Sequence, residues 1–154
     1  MDIDLRDIEA IAGKILQLYR DELDRKGINA SHSLSNSAST TVEINDTKLL
    51  ISLNLEPYWQ YVEYGRRPGK RPPMDVIEEW INVKPIIPEP VNNKIPDTRQ
   101  LAYLIARKIG RDGIEGRKPL TNVMYSDAAE SMIDDIKSVI AKQLKQQFID
   151  GVSL

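Results

Sequence analysis

The chain of 154 residues is 41% apolar and 29% charged with a formal net charge of −2, the make-up of one ordinary globular domain and not of a disordered, fibrous or polycationic chain. It has no cysteine and one histidine, His32, which excludes a disulfide framework, a thiolate zinc site, a cysteine nucleophile and a multi-histidine metal centre. No apolar run approaches the roughly 20 residues that span a bilayer, and the acidic start Met1-Asp2-Ile3-Asp4 is unlike a secretory signal, so neither a membrane segment nor a leader is expected.

Residues 3–26 read as an amphipathic helix, with Ile8, Ile11, Ala12, Ile15, Leu18, Tyr19 and Leu23 recurring at three- and four-residue steps. Gly27 closes it. The small polar stretch from Asn29 to Ser39 predicts a loop or a short irregular turn. Over 41–55, Thr41–Ile44 and the alternating Leu49, Ile51, Leu53 and Leu55 predict an antiparallel hairpin turning at Asn45-Asp46. Eight of the nine prolines lie between Pro57 and Pro96. Short helical patterns interrupt that region at Pro57–Tyr64 and at Pro73–Val83, where Met74, Ile77, Trp80 and Ile81 share a side. Residues 65–72 form a stiff basic loop, and 84–96 are too proline-rich for a regular element, which suits an extended arm or loop. Asp97 or Thr98 caps a helix to about Ile109, after which Gly110, Gly113 and Gly116 break the chain. A last helix runs from about Asp127 to Phe148, with Ala128, Met132, Ile136, Val139, Ile140, Leu144 and Phe148 among its apolar positions. There is no internal repeat, and residues 1–154 read as a single domain.

Charge is banded. Residues 1–65 carry a net −5, residues 66–118 a net +5 and residues 119–154 a net −2, which can orient copies against one another or present one basic surface to a polyanion. Within the basic band, Arg66, Arg67, Lys70 and Arg71 have the forked chemistry that holds phosphate oxygens, although a solvated turn or ion pairs within an assembly would use them equally well. Just before them Tyr58, Trp59, Tyr61 and Tyr64 crowd together, as in a helix packed on a sheet or in an interface anchor. Glu63 lies inside this aromatic cluster, beside the basic loop, and is expected to pair with an arginine. The adjacent carboxylates Glu78-Glu79 and Asp134-Asp135 point about 100° apart on a helix and make no shared acid/base site. His32 has no orienting partner in sequence. No catalytic residue, metal ligand or cofactor motif stands out, and no enzyme is expected.

The order Ser33-Leu34-Ser35-Asn36-Ser37, hairpin, Tyr61-Val62-Glu63-Tyr64-Gly65, Arg66–Pro73, Ile77-Glu78-Glu79-Trp80-Ile81, Leu101–Gly110 and Gly113–Pro119 resembles the head–tail joining (tail-completion, or minor neck) proteins of tailed bacteriophages over roughly residues 30 to 145. The chain departs from that family where it has Leu120-Thr121-Asn122 in place of one or two phenylalanines. The resemblance implies an α+β fold with a long N-terminal helix on a curved antiparallel sheet and further helices on the flank. It also implies a structural virion protein, made in the host bacterial cytoplasm and forming a homo-oligomeric ring of six or twelve copies between portal or adaptor and tail proteins. Transient contact with packaged DNA goes with that position, while catalysis, a cofactor and a membrane do not. The surface expected to meet neighbours comprises Tyr58, Trp59, Tyr61, Glu63, Tyr64, Arg66, Arg67, Lys70 and Arg71. A small nucleic-acid-binding module built on segment 66–118 is the alternative expectation. A small hydrolase or nuclease is the third.

Overall fold

Helix α1 (Arg6–Arg25) is the axle of the fold, in a computed structural model that describes residues 3–28, 32–45, 48–84, 86, 88–90 and 93–152. Its buried stripe is Ile8, Ile11, Ala12, Leu16, Tyr19 and Leu23, while Ile15 and Leu18 flank it half-buried. The helix starts three residues later than its periodicity suggests. Residues before Arg6 are held elsewhere: Gln143 accepts from the Asp4 N–H at 2.8 Å and donates to the Asp4 carbonyl at 3.0 Å.

Across α1 lies the predicted hairpin, β1 (Ser39–Asn45) antiparallel to β2 (Lys48–Asn54), with Val42 opposite Ile51 and Ile44 opposite Leu49. It is a two-stranded sheet. Of the predicted turn residues, Asn45 is the last of β1, paired with Lys48, while Asp46, with Thr47 after it, lies outside the described residues. Alternation places Val42, Leu49 and Ile51 against Ile8 and Ile11, whereas Leu53 and Leu55 join the cluster around Leu16, Tyr19 and Leu23. Where a loop or irregular turn was expected, residues Ser33–Ser37 form the short helix α2. Serines favour such a helix weakly, so tertiary contacts hold it: Leu34 is buried in the core, and Arg20 donates to the Ser35 and Ala38 carbonyls at 3.0 Å each. Asn29, Ala30 and Ser31 lie outside the described residues.

After the hairpin come α3 (Trp59–Tyr64), β3 (Gly65–Arg66), α4 (Met74–Val83), α5 (Thr98–Asp112), β4 (Ile114–Glu115), α6 (Pro119–Met124) and α7 (Asp127–Val152). The assembly is α+β, with α7 packed along α1 through Ile136, Met132, Val139 and Ile140. Ala129, and not Ala128, is the alanine that faces inward. The Ser126 hydroxyl accepts the Ala129 N–H at 3.2 Å and caps α7, which runs four residues past the predicted end.

Helices α4 and α5 form a pair with a small core of their own, Ile77 and Ile81 against Ala102 and Ala106, with Ile86, Leu101, Ile105 and Ile109 around it. The two alanines let the helix axes approach closely. Asp97 is the cap of α5: it accepts from the Gln100 N–H at 2.7 Å while Gln100 accepts from the Asp97 N–H at 3.2 Å. In the segment read as an extended arm, Lys84, Ile86, Pro88–Pro90 and Asn93–Pro96 are not helical. Pro85, Ile87, Val91 and Asn92 of that segment lie outside the described residues. Neither α4 nor α5 packs on the rest of the chain as extensively as on its partner. What carries them is the short ribbon of β3 and β4, where Gly65 pairs with Glu115 and Arg66 with Ile114.

That ribbon explains the glycine spacing. Gly110 does not break the chain but continues α5 for two more residues, its carbonyl accepting from the Gly69 N–H at 2.8 Å. At Gly65 and Gly116 the two segments cross backbone on backbone. A Cβ on Gly65 would overlap the Ile114 carbonyl, and one on Gly116 the Glu63 carbonyl. Gly116→Ala is therefore expected to destabilise the protein by at least about 2 kcal/mol, since main chain cannot yield as a side chain can. Gly13→Ala, in mid-α1 with open space where the Cβ would go, is expected to stabilise it by about 0.5–1 kcal/mol. Urea unfolding midpoints of the two variants check both signs.

Candidate interaction surface

The sequence brings one carboxylate to the centre of this crossing. After β4 the chain runs back beside α3, with the Arg117 N–H donating to the Val62 carbonyl at 2.9 Å and the Lys118 N–H to that of Glu63 at 3.3 Å. Pro119 then opens α6 without wasting an N–H. Lys118, at the cap position, has φ 50° and no capping side-chain bond. Glu63 supplies the cap from 57 residues away: it accepts from the Leu120 N–H at 2.9 Å, the Thr121 N–H at 3.0 Å and the Thr121 hydroxyl. It is 2% exposed. The expected pairing with an arginine is thus replaced by a helix cap, because the chain crossing turns the Glu63 side chain inward to α6. The segment Leu120-Thr121-Asn122 contains the cap's partners.

Neighbouring groups tighten the joint. Burial, with the Glu63 and Tyr58 charges adding to it, pushes the Tyr19 phenol up to about 12. Asn122 donates to Glu22 at 3.0 Å. Hydrogen bonds from Arg25, against an opposing desolvation and helped by Asn122 and the charges of Arg25 and Lys26, hold Glu22 down at about 2. Lys26 donates to the Arg117 carbonyl, and Arg117 to that of Lys26 at 2.9 Å, so the foot of the ribbon is tied to the end of α1.

The aromatic cluster divides. Trp59 is half-buried against the Leu16, Tyr19 and Leu23 cluster, its ring 6.0 Å from that of Tyr64 at 56°. Tyr58, Tyr61 and Tyr64 face outward, the last two 61% and 72% exposed. The four cations of the basic loop do not converge. Arg66 closes its own loop by donating to the Lys70 carbonyl at 2.7 Å, and Arg71 lies 5.5 Å over the Tyr103 ring, while Arg67 and Lys70 are exposed. His32 is exposed at the start of α2. Sequence reasoning missed α6 altogether, and with it Met124 and Tyr125, which stand exposed at its end; Pro119, a residue suited to a first helical turn, is the one local signal that could have found that element. An open groove of about 960 Å³ runs beside α5, lined by Met74, Lys94, Pro96, Tyr103 and Leu104 among others. Among the described residues no three His, Asp or Glu side chains gather to hold a metal, and no helix is long and apolar enough to cross a membrane. Comparisons with protein families, with curated proteins and with solved structures match none of them.

Removing the cap strands two part-buried N–H groups and a hydroxyl. Glu63→Ala is expected to lower stability by about 2–4 kcal/mol. Glu63→Gln recovers only part of this, since its amide has one acceptor oxygen and sets an NH₂ against donors. Denaturant midpoints of both variants test the assignment. A second expectation concerns pH. The Tyr19 proton is held more tightly in the folded chain, so its contribution is complete below the unfolded value of 10 and is lost as pH rises through about 12. Tyr19→Phe should flatten the fall in stability over that window by roughly 2 kcal/mol, as measured by urea unfolding at successive alkaline pH values.

Proposed function

We propose that the chain is a structural virion protein of a tailed phage, one protomer of a ring in the head–tail connector or tail-completion complex, with no catalytic activity. The ordered motifs from Ser33 to Pro119 support this reading. The observation that carries it is the combination of Tyr61 and Tyr64, 61% and 72% exposed, with a helix fastened beneath them by the buried Glu63. Large aromatic side chains held outward on a fixed element are typical interface anchors, because they bury much area at little cost in side-chain entropy. Their neighbours in the assembly would be further copies of the chain, portal or adaptor subunits, and tail proteins. A second reading, nucleic-acid binding, is favoured only by the exposed Arg67 and Lys70 beside Tyr64; it predicts affinity that falls steeply with salt.

Quantitative mass spectrometry of purified particles tests the first reading. A fixed ratio to the portal subunit of about one half or one is expected for six or twelve copies on a twelvefold portal. Absence from intact particles, with the chain present in infected cells, would refute it.

A further inference from the structure

In three dimensions the charge bands separate onto two packing units. The α4–α5 pair and, apart from the uncharged Gly65, the ribbon come from the net +5 band, residues 66–118, while α1, the hairpin, α3, α6 and α7 come from the bands of net −5 and −2. Each unit carries an exposed apolar spot with its own sign of charge around it. On α5, Tyr103 and Leu104 are 42% and 38% exposed. Arg99 and Arg107 lie one turn to either side of Tyr103 on the same ridge. At the α6–α7 junction, Tyr125 and Ile133 are 87% and 39% exposed. Asp127, Glu130 and Asp134, at three- and four-residue spacing, run as an exposed stripe along the first two turns of α7.

We propose that α5 of one copy docks through Tyr103 and Leu104 on the α6–α7 junction of a second copy, with Arg99 and Arg107 facing Asp127, Glu130 and Asp134. The inference rests on the ring reading, since it takes another copy of the chain as the occupant. Charge complementarity selects that occupant. Both spots are exposed within one chain, so they do not satisfy each other there. The exposed ion pairs they already have, Arg99 with Glu78 at 3.5 Å and Asp134 with Lys137 at 2.8 Å, are weak enough to exchange. Nucleic acid fits less well. The acidic body would repel it, and two arginine forks of the basic unit are engaged, Arg111 on Asp112 and Arg66 on the Lys70 carbonyl. Because the two spots differ, the contact is head to tail, the kind that closes into a ring.

A charge-swap experiment tests the contact. Arg99→Glu with Arg107→Glu gives an α5 variant, and Asp127→Lys with Asp134→Lys an α7 variant; all four positions are exposed, so both should keep the native circular dichroism spectrum. By sedimentation at low salt, each variant alone should associate at least about tenfold more weakly than the native chain, and an equimolar mixture should recover association, since every junction is then complementary. The absence of cysteine provides a second readout: Tyr103→Cys mixed with Tyr125→Cys should give a disulfide-linked heterodimer under mild oxidation. That trap also decides the case in which the native chain sediments as a monomer. Where the native chain associates, variants that associate as it does or a mixture without recovery would overturn the contact; whether it associates or not, so would the absence of a heterodimer. So would salt-sensitive DNA binding by the native chain that the α5 variant loses, with no cross-link formed. Particle composition separates this from the ring reading. Full copy number of the α5 variant in particles removes the contact and leaves the ring; recovery by mixing, with the chain absent from particles, removes the ring and leaves the contact.

Discussion

Two segments of the chain cross at Gly65 and Gly116 with no side chain between them, and the carboxylate of Glu63 closes the crossing by capping α6. A short helix of six residues has little stability of its own, and its first N–H groups, part-buried, would be left without protein partners. One side chain with two acceptor oxygens satisfies two of them and a hydroxyl as well. In doing so it sets the position of α6, the start of α7 and the foot of the ribbon together. Hydrogen bonds to a buried carboxylate are strong because water does not compete for them. Gly65 and Gly116 are the condition for that geometry, since any side chain there would hold the two backbones apart.

Beyond the crossing the chain is divided energetically. The body is assembled on α1, which buries one face under the hairpin and α7. The α4–α5 pair is stabilised by its own small cluster and the Asp97–Gln100 capping box. Few contacts join it to the body apart from the ribbon; one is the Lys84 ammonium donating to the Gly27 carbonyl at 3.4 Å. An element attached in this way can be aimed at a neighbour without disturbing the core that carries it. In the contact proposed with a second copy, the separation of acidic and basic bands onto the two units would give that aim a direction.

The long elements were legible because their signals are local. The three- and four-residue spacing from Ile8 to Leu23, the alternation from Leu49 to Leu55 and the Asp97 cap each describe contacts made within one stretch of chain. Helix α2 was not legible, because Leu34 and the Arg20 clamp that hold it act across the fold. The three glycines read as breaks had a longer-range meaning: one stays within a helix, one ends it, and one makes room for another segment. Among the candidate site residues, the crowding of Tyr58, Trp59, Tyr61 and Tyr64 was visible. Which of them point outward was not, since a helix of six residues gives too few turns for a periodicity to choose a face.

What the sequence determined by itself was the positions of its three long helices and its hairpin, and the banding of charge along the chain. These follow from residue type and spacing alone. Tertiary structure decided the partner of Glu63, the pairing of β3 with β4 and the grouping of the charge bands onto two bodies. Each of those depends on segments far apart in sequence meeting in space, and no local pattern records which hydrogen-bond donors will stand opposite a buried carboxylate when the chain closes.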